Sequence, residues 1–125
     1  MKHADRPVFL TLWLIPMPVG AWTSILHRVT GLGLVLGIPG YVYLLDLSLR
    51  GPQGFAQVAA LFERLPMRIA SVLFAWVLAH HLLAGVRHLL SDVDVGSRLA
   101  PARRSAWFVN VAAVAVALLC AGIWL

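Results

Sequence analysis

Charge is scarce in this chain and cysteine is nearly absent. Only 12% of the 125 residues are charged, with five acids in all. The single cysteine, Cys120, lies in an apolar run, which excludes an intrachain disulfide and a thiolate metal cluster. A lone cysteine of this kind is a small hydrophobe. There is no internal repeat and no low-complexity segment. The N-terminus has Lys2, His3 and Arg6 but no adjoining apolar stretch with a small-residue cleavage site. It also carries Asp5 and is short and poor in serine, unlike an organellar transit peptide. The expectation is an unprocessed, bacterial-type membrane subunit. Net charge is +5, yet no basic stripe with interleaved aromatics appears, which argues against nucleic acid as a partner.

What the chain has instead is apolar length. Hydrophobic residues make up 61% of it and mean hydropathy is +0.86. They collect into runs long enough for membrane helices, which need about 20 residues each. Three spans are predicted, at about 29–49, 67–90 and 106–125, within one membrane-anchor domain over 1–125. The first contains Pro39 and carries Asp46 near its far end, the second holds His80 and His81, and Asn110 is the only strongly polar residue of the third. Gly51, Pro52 and Gly54 break the chain after the first span, and 55–65 reads as a short amphipathic interfacial helix. Residues 91–104 form the second connection, closed by Pro101. The segment from Pro7 to Trp22 has Pro16 and Pro18 and is too broken to span, so it is expected along the inner face.

Arginine and lysine set the orientation. The N-terminal segment and the second loop, with the span ends beside them, carry Lys2, Arg6, Arg28, Arg87, Arg98, Arg103 and Arg104; the first loop carries Arg50, Arg64 and Arg68. This asymmetry predicts a cytoplasmic N-terminus and an external C-terminus in a bacterial cytoplasmic membrane.

Two polar clusters interrupt the apolar background. One runs from Ser24 through His27 and Arg28 to Gly31, the other from His81 through Gly85, Arg87 and His88 to Asp92. Ionisable groups at membrane depth are costly and tend to mark function. On a helix, His81 and Gly85 stack on one face, His88 returns to it, and His80 points about 100° away. An imidazole in apolar surroundings with bare backbone beside it suits a haem iron, and Arg87 and His88 would lie where propionates need positive charge. The same pattern also suits a histidine that bonds a neighbouring helix, with glycine easing the contact. The adjacent His80 leaves the ligand ambiguous by one residue; the spacing to Gly85 favours His81. No second histidine sits at matching depth on another span, and three helices are too few to enclose a porphyrin. A haem here would therefore need a partner chain.

In the first cluster Ser24 and Arg28 are four apart, as are His27 and Gly31. A hydroxyl and a guanidinium on one face can donate to the carbonyl oxygens of a quinone, and the cation would stabilise its reduced form. The competing reading is a serine N-cap with Arg28 and His27 as interfacial anchors. Gly31, Gly33 and Gly37 make a small-residue face suited to close helix packing.

At these motifs the chain resembles the cytochrome b membrane-anchor subunit of succinate dehydrogenase, respiratory complex II. That family carries Ser-x-x-His-Arg-x-Thr/Ser-Gly before span one and His-x-x-x-Gly-x-Arg-His-x-x-x-Asp at the end of span two. Both are complete here, as Ser24, His27, Arg28, Thr30, Gly31 and as His81, Gly85, Arg87, His88, Asp92. Arg6 and Pro7 match an N-terminal Arg-Pro of the family, although Val8, Phe9 and Leu10 replace the Ser-Pro-His run common after it. The resemblance implies an all-α integral membrane fold with three transmembrane helices and an N-terminal interfacial segment, part of a heteromeric helical bundle. It implies that His81 is an axial ligand of haem b, shared with a sister anchor subunit that supplies the other histidine. It implies His27, Arg28 and His88 near the propionates, and Ser24 and Arg28 at the quinone. An iron–sulfur subunit and a flavoprotein subunit would dock on the cytoplasmic face, and FAD and the clusters would reside only there. Two rival readings are an anchor of a quinol:fumarate reductase and a non-redox structural membrane subunit.

Overall fold

The computed structural model describes residues 16–125, so the Arg6–Pro7 match and the first part of the N-terminal segment lie outside the described residues. Four helices follow in order: α1 (Val19–Leu49), α2 (Pro52–Phe62), α3 (Leu65–Asp92) and α4 (Leu99–Trp124). No strand occurs among the described residues. α1, α3 and α4 are each long and apolar enough to cross a bilayer, and α2 is a short helix between the first two. The fold is that of an all-α membrane protein with three spans.

Three elements depart from the sequence expectation: α2 lies three residues earlier at each end, so Pro52 and Gly54 are inside it and the break falls at Gly51, and α1 and α4 begin early. α1 begins at Val19, ten residues before the predicted span, and absorbs the whole first polar cluster as well as Trp22. The end of the expected interfacial segment is therefore helical. Polar side chains do not interrupt a helix whose backbone bonds are all internal, and the break falls at Pro18, whose extended backbone caps the helix start. At 31 residues α1 is about 46 Å long, well beyond a hydrocarbon core of about 30 Å. α4 begins at Leu99, so Pro101 lies inside its first turn and does not close the preceding loop. Proline is tolerated there because the first N–H groups of a helix have no internal partner. Pro52 and Pro66 occupy the same kind of position in α2 and α3.

The three spans pack antiparallel in sequence. Across α1 and α3, Gly31 faces His81, Gly33 faces Val77, and Gly37 faces Phe74. The small-residue face does bring these helices close. Farther along, the Tyr41 hydroxyl lies 3.0 Å from Ser71 Oγ and the Tyr41 ring stacks on Phe74 at 4.3 Å. α4 lies against α3 and meets α1 near its start. Arg87 donates to Ser105 Oγ at 3.1 Å and to the Ala102 carbonyl at 3.3 Å. At the opposite end Arg68 donates to the Trp124 carbonyl at 3.2 Å. The start of α1, the end of α3 and the start of α4 thus share one end of the molecule.

Little apolar bulk is buried. The buried hydrophobic residues among those described are Ala84, Ala106, Val109 and Ala113, whereas the largest fully buried side chains are His80, Thr23 and Thr30. Most leucines, valines and isoleucines face outward, as they do when the solvent is lipid.

Candidate functional site: a histidine cluster between two spans

The imidazoles of His27, His81 and His88 meet between α1 and α3 near the shared end. The His27 and His81 rings stack with centroids 4.2 Å apart and planes 18° from parallel. His88 tilts against His27 at 5.0 Å. The approach depends on reciprocal glycines. A Cβ on Gly31 would lie 3.0 Å from His81 Cε1, tighter than side chains tolerate without shifting. A Cβ on Gly85 would lie 3.5 Å from His27 Nε2, an ordinary contact. The bare backbone at Gly85 is thus covered by His27, and the glycine that admits His81 is Gly31 on the facing helix.

The hydrogen bonding of His81 determines where its proton sits. Nδ1 lies 3.0 Å from the His27 carbonyl oxygen, which can only accept. Thr30 Oγ1, buried behind the ring, is 3.4 Å from the same nitrogen and itself donates to the Leu26 carbonyl at 2.7 Å. Both neighbours of Nδ1 act as acceptors, so Nδ1 carries the hydrogen and Nε2 keeps its lone pair. Nε2 has no hydrogen-bond partner among the described residues and is not sealed in, since the only buried unpartnered side-chain nitrogen or oxygen there is His80 Nδ1.

His80 is held differently. It is fully buried, at 0% exposure, and faces α4. Its Nε2 lies 3.1 Å from Asn110 Oδ1. Asn110 Nδ2 donates to Thr23 Oγ1 at 3.0 Å, and Thr23 Oγ1 donates to the Val19 carbonyl at 3.0 Å. The two adjacent histidines therefore have opposite tautomers and opposite jobs. His80 bonds a neighbouring helix, and His81 offers a free nitrogen. The sequence places Asn110 in the third span but gives it no partner, and nothing in the sequence singles out Thr23. A single buried amide and a threonine that bonds its own helix backbone carry no sequence signal of their own.

Ser24 is half-buried and Arg28 exposed, on the flank of α1 next to the face that carries His27. Neither side chain has a hydrogen-bond partner among the described residues. Ser24 is not an N-cap, because the helix already begins five residues earlier. Arg87, by contrast, is turned toward α4 and occupied there. Asp92 is exposed at the last residue of α3.

A three-span helical membrane subunit that presents an imidazole nitrogen between facing spans is the class this fold and site define. Within that class, the chain belongs to the succinate dehydrogenase/fumarate reductase transmembrane subunit family, whose family model matches residues 2–120. It is similar to the succinate dehydrogenase cytochrome b556 subunit of Paracoccus denitrificans, with 31% identity over 119 residues, 95% of this chain and 92% of the relative. Its similarity to the cytochrome b556 subunit of Coxiella burnetii is 32% over 124 residues, 98% of each chain. A mitochondrial cytochrome b560 subunit from Dictyostelium discoideum is 34% identical over 110 residues, which cover 86% of this chain and 55% of that relative.

Proposed function

We propose that this chain is the cytochrome b subunit that anchors succinate dehydrogenase in the membrane, with His81 as its axial ligand to haem b. The observation that carries the reading is the bond from His81 Nδ1–H to the His27 carbonyl. Histidines that bind a metal usually donate the other ring N–H to a carbonyl or carboxylate, which fixes the tautomer and the ring plane and raises the basicity of the ligating nitrogen. His81 meets that requirement and leaves Nε2 accessible; His80 also donates, to Asn110 Oδ1, but its remaining nitrogen, Nδ1, is sealed inside the bundle where no metal can reach it. The donor set fits a b-type haem, which when bound would supply a one-electron carrier within the membrane. The second axial histidine belongs to a sister anchor subunit. His27 and His88, beside His81, and Arg28, one residue on from His27, would face the propionates.

Ser24 and Arg28 would hold the quinone headgroup. Their free hydroxyl and guanidinium can donate to its carbonyl oxygens, and the fixed cation favours the charge that builds as the ring is reduced. Flavin and iron–sulfur chemistry belongs to the flavoprotein and iron–sulfur subunits, which would dock at the end that carries Ser24, Arg28, His88 and Asp92. That end is cytoplasmic in this reading, and the membrane is the bacterial cytoplasmic membrane. The named relatives are succinate dehydrogenase subunits, which favours succinate oxidation over fumarate reduction as the working direction.

A reduced-minus-oxidised spectrum of the purified complex tests the assignment. His81→Ala is expected to abolish or sharply alter the b-type absorbance, and His80→Ala to retain it. Retention in His81→Ala with loss in His80→Ala would shift the ligand by one residue. Retention in both would mean that this chain ligates no haem and acts as a structural anchor.

A further inference from the structure

We infer that Asn110 is a positioning residue for His81, acting through His80. The inference rests on His81 as the haem ligand and adds what sets its orientation.

His80 and His81 are consecutive on α3, so their side chains leave the helix axis about 100° apart. Whatever fixes the rotation of α3 at one fixes it at the other. On the α1 side, His81 is held by its bond to the His27 carbonyl and by its stack on the His27 ring. These contacts, like that of Tyr41 with Ser71 farther along, bear on one side of α3 only, and the seat of its other side is set against α4. On the α4 side, Arg87 ties the end of α3 to Ser105 and the Ala102 carbonyl, and His80 Nε2–H, next to His81 itself, is pinned to Asn110 Oδ1 at 3.1 Å.

The shorter contacts set the direction of that second bond. The Val19 carbonyl can only accept, so the Thr23 hydroxyl donates to it. Thr23 Oγ1 then accepts from Asn110 Nδ2. Thr23 Oγ1 also lies 3.3 Å from Asn110 Oδ1, but its one hydrogen goes to the closer Val19 carbonyl; with the amide oxygen then turned toward His80, the hydrogen of that contact sits on His80 Nε2. The chain of donors runs from α3 through α4 to the start of α1, so one amide ties all three spans together. Asn110 is the only group in it that contacts both other helices.

Among the side-chain nitrogens and oxygens of His80, Asn110 and Thr23, one atom alone has no partner. His80 Nδ1 is buried and has no partner among the described residues. A fully buried imidazole that leaves one nitrogen unsatisfied would be better replaced by an apolar side chain if packing were its sole task. The bond to Asn110 is what the burial secures, and its geometric effect is to hold His81 toward α1.

The test uses the assembled complex and three changes in this chain. Asn110→Leu removes the clamp but leaves the His80 donor unmatched. The double variant His80→Phe with Asn110→Leu removes both polar partners and keeps the contact filled, so it separates loss of the clamp from a buried polar defect. Asn110→Asp keeps an acceptor for His80 and is the conservative rescue. The readouts are the electron paramagnetic resonance spectrum of the oxidised haem, which responds to the planes of its axial imidazoles, and its midpoint potential. The expected result is a retained b-type band, with the highest g value displaced and the potential shifted beyond replicate scatter in the double variant, and near-wild-type values in Asn110→Asp. A merely structural role would lower yield or thermal stability without moving the g value of the haem that remains. Wild-type g value and potential in the double variant overturn the inference, whatever Asn110→Leu does. Loss of the b-type band in the double variant also overturns it. The ligand assignment itself is read separately, from His81→Ala.

Discussion

One methyl group at position 31 would press on the ring of His81. The added Cβ would sit 3.0 Å from Cε1 and 3.4 Å from Nδ1, on a ring already held against the His27 carbonyl. Gly31→Ala is therefore expected to lower haem content per flavin in the purified complex, whereas Gly85→Ala, whose Cβ meets His27 at an ordinary distance, is expected to retain it. A haem-to-flavin ratio measures both. Arg28 gives a second test at this scale. Arg28→Leu is expected to cut quinone reduction by roughly a hundredfold, the scale of losing one preorganised donor. Succinate oxidation with a soluble artificial acceptor should be spared, because the flavin is proposed to lie in another subunit. Equal loss of both activities in an assembled complex would make Arg28 a docking residue instead. The helical spacing of His81, Gly85 and His88 is readable from the sequence, as is the divergence of His80. The partner of each ring is not. Spacing gives a face but does not name the side chain opposite, so Gly31 and His27 can be matched to His81 and Gly85 only once α1 lies against α3.

The helices themselves depend on where bulk is missing. A Cβ on Gly37 would lie 2.6 Å from the Phe74 ring, which is stacked on Tyr41 and cannot swing freely, whereas a Cβ on Gly40 meets nothing within 4 Å. Gly37→Ala should destabilise the α1–α3 pair by about 1–3 kcal/mol, the usual cost of overpacking. Gly40→Ala should be neutral or slightly stabilising, since alanine favours helix over glycine. Thermal unfolding in detergent distinguishes the two. Element type is well specified by the sequence, because runs of apolar residues near 20 have few other solutions. Element ends are not. The polar stretch from Ser24 to Arg28 reads as a border when hydropathy is the guide, yet α1 continues through it to Pro18. Likewise Pro101 reads as a stop, although in the first turn of α4 it costs no hydrogen bond.

For the whole molecule, the proposed cytoplasmic N-terminus places the C-terminus outside. A reporter fused after Leu125 should be active only when it is of a kind that works outside the cytoplasm. Activity of a cytoplasm-only reporter there would reverse the topology and put Ser24 and Arg28 on the wrong side of the membrane for the proposed quinone site and its electron donor. The sparse interior of the bundle has a thermodynamic consequence. Alanines, threonines, a serine and a histidine fill it, and Val109 is the bulkiest buried hydrophobe among the described residues. Separating the spans within a lipid or detergent phase would bring almost no hydrocarbon into contact with water. A water-soluble domain gains heat capacity on unfolding from that kind of exposure, at about 12–15 cal/mol/K per residue. This bundle has no such reservoir, so its stability would fall with temperature along a nearly straight line, with no optimum near room temperature and no weakening in the cold.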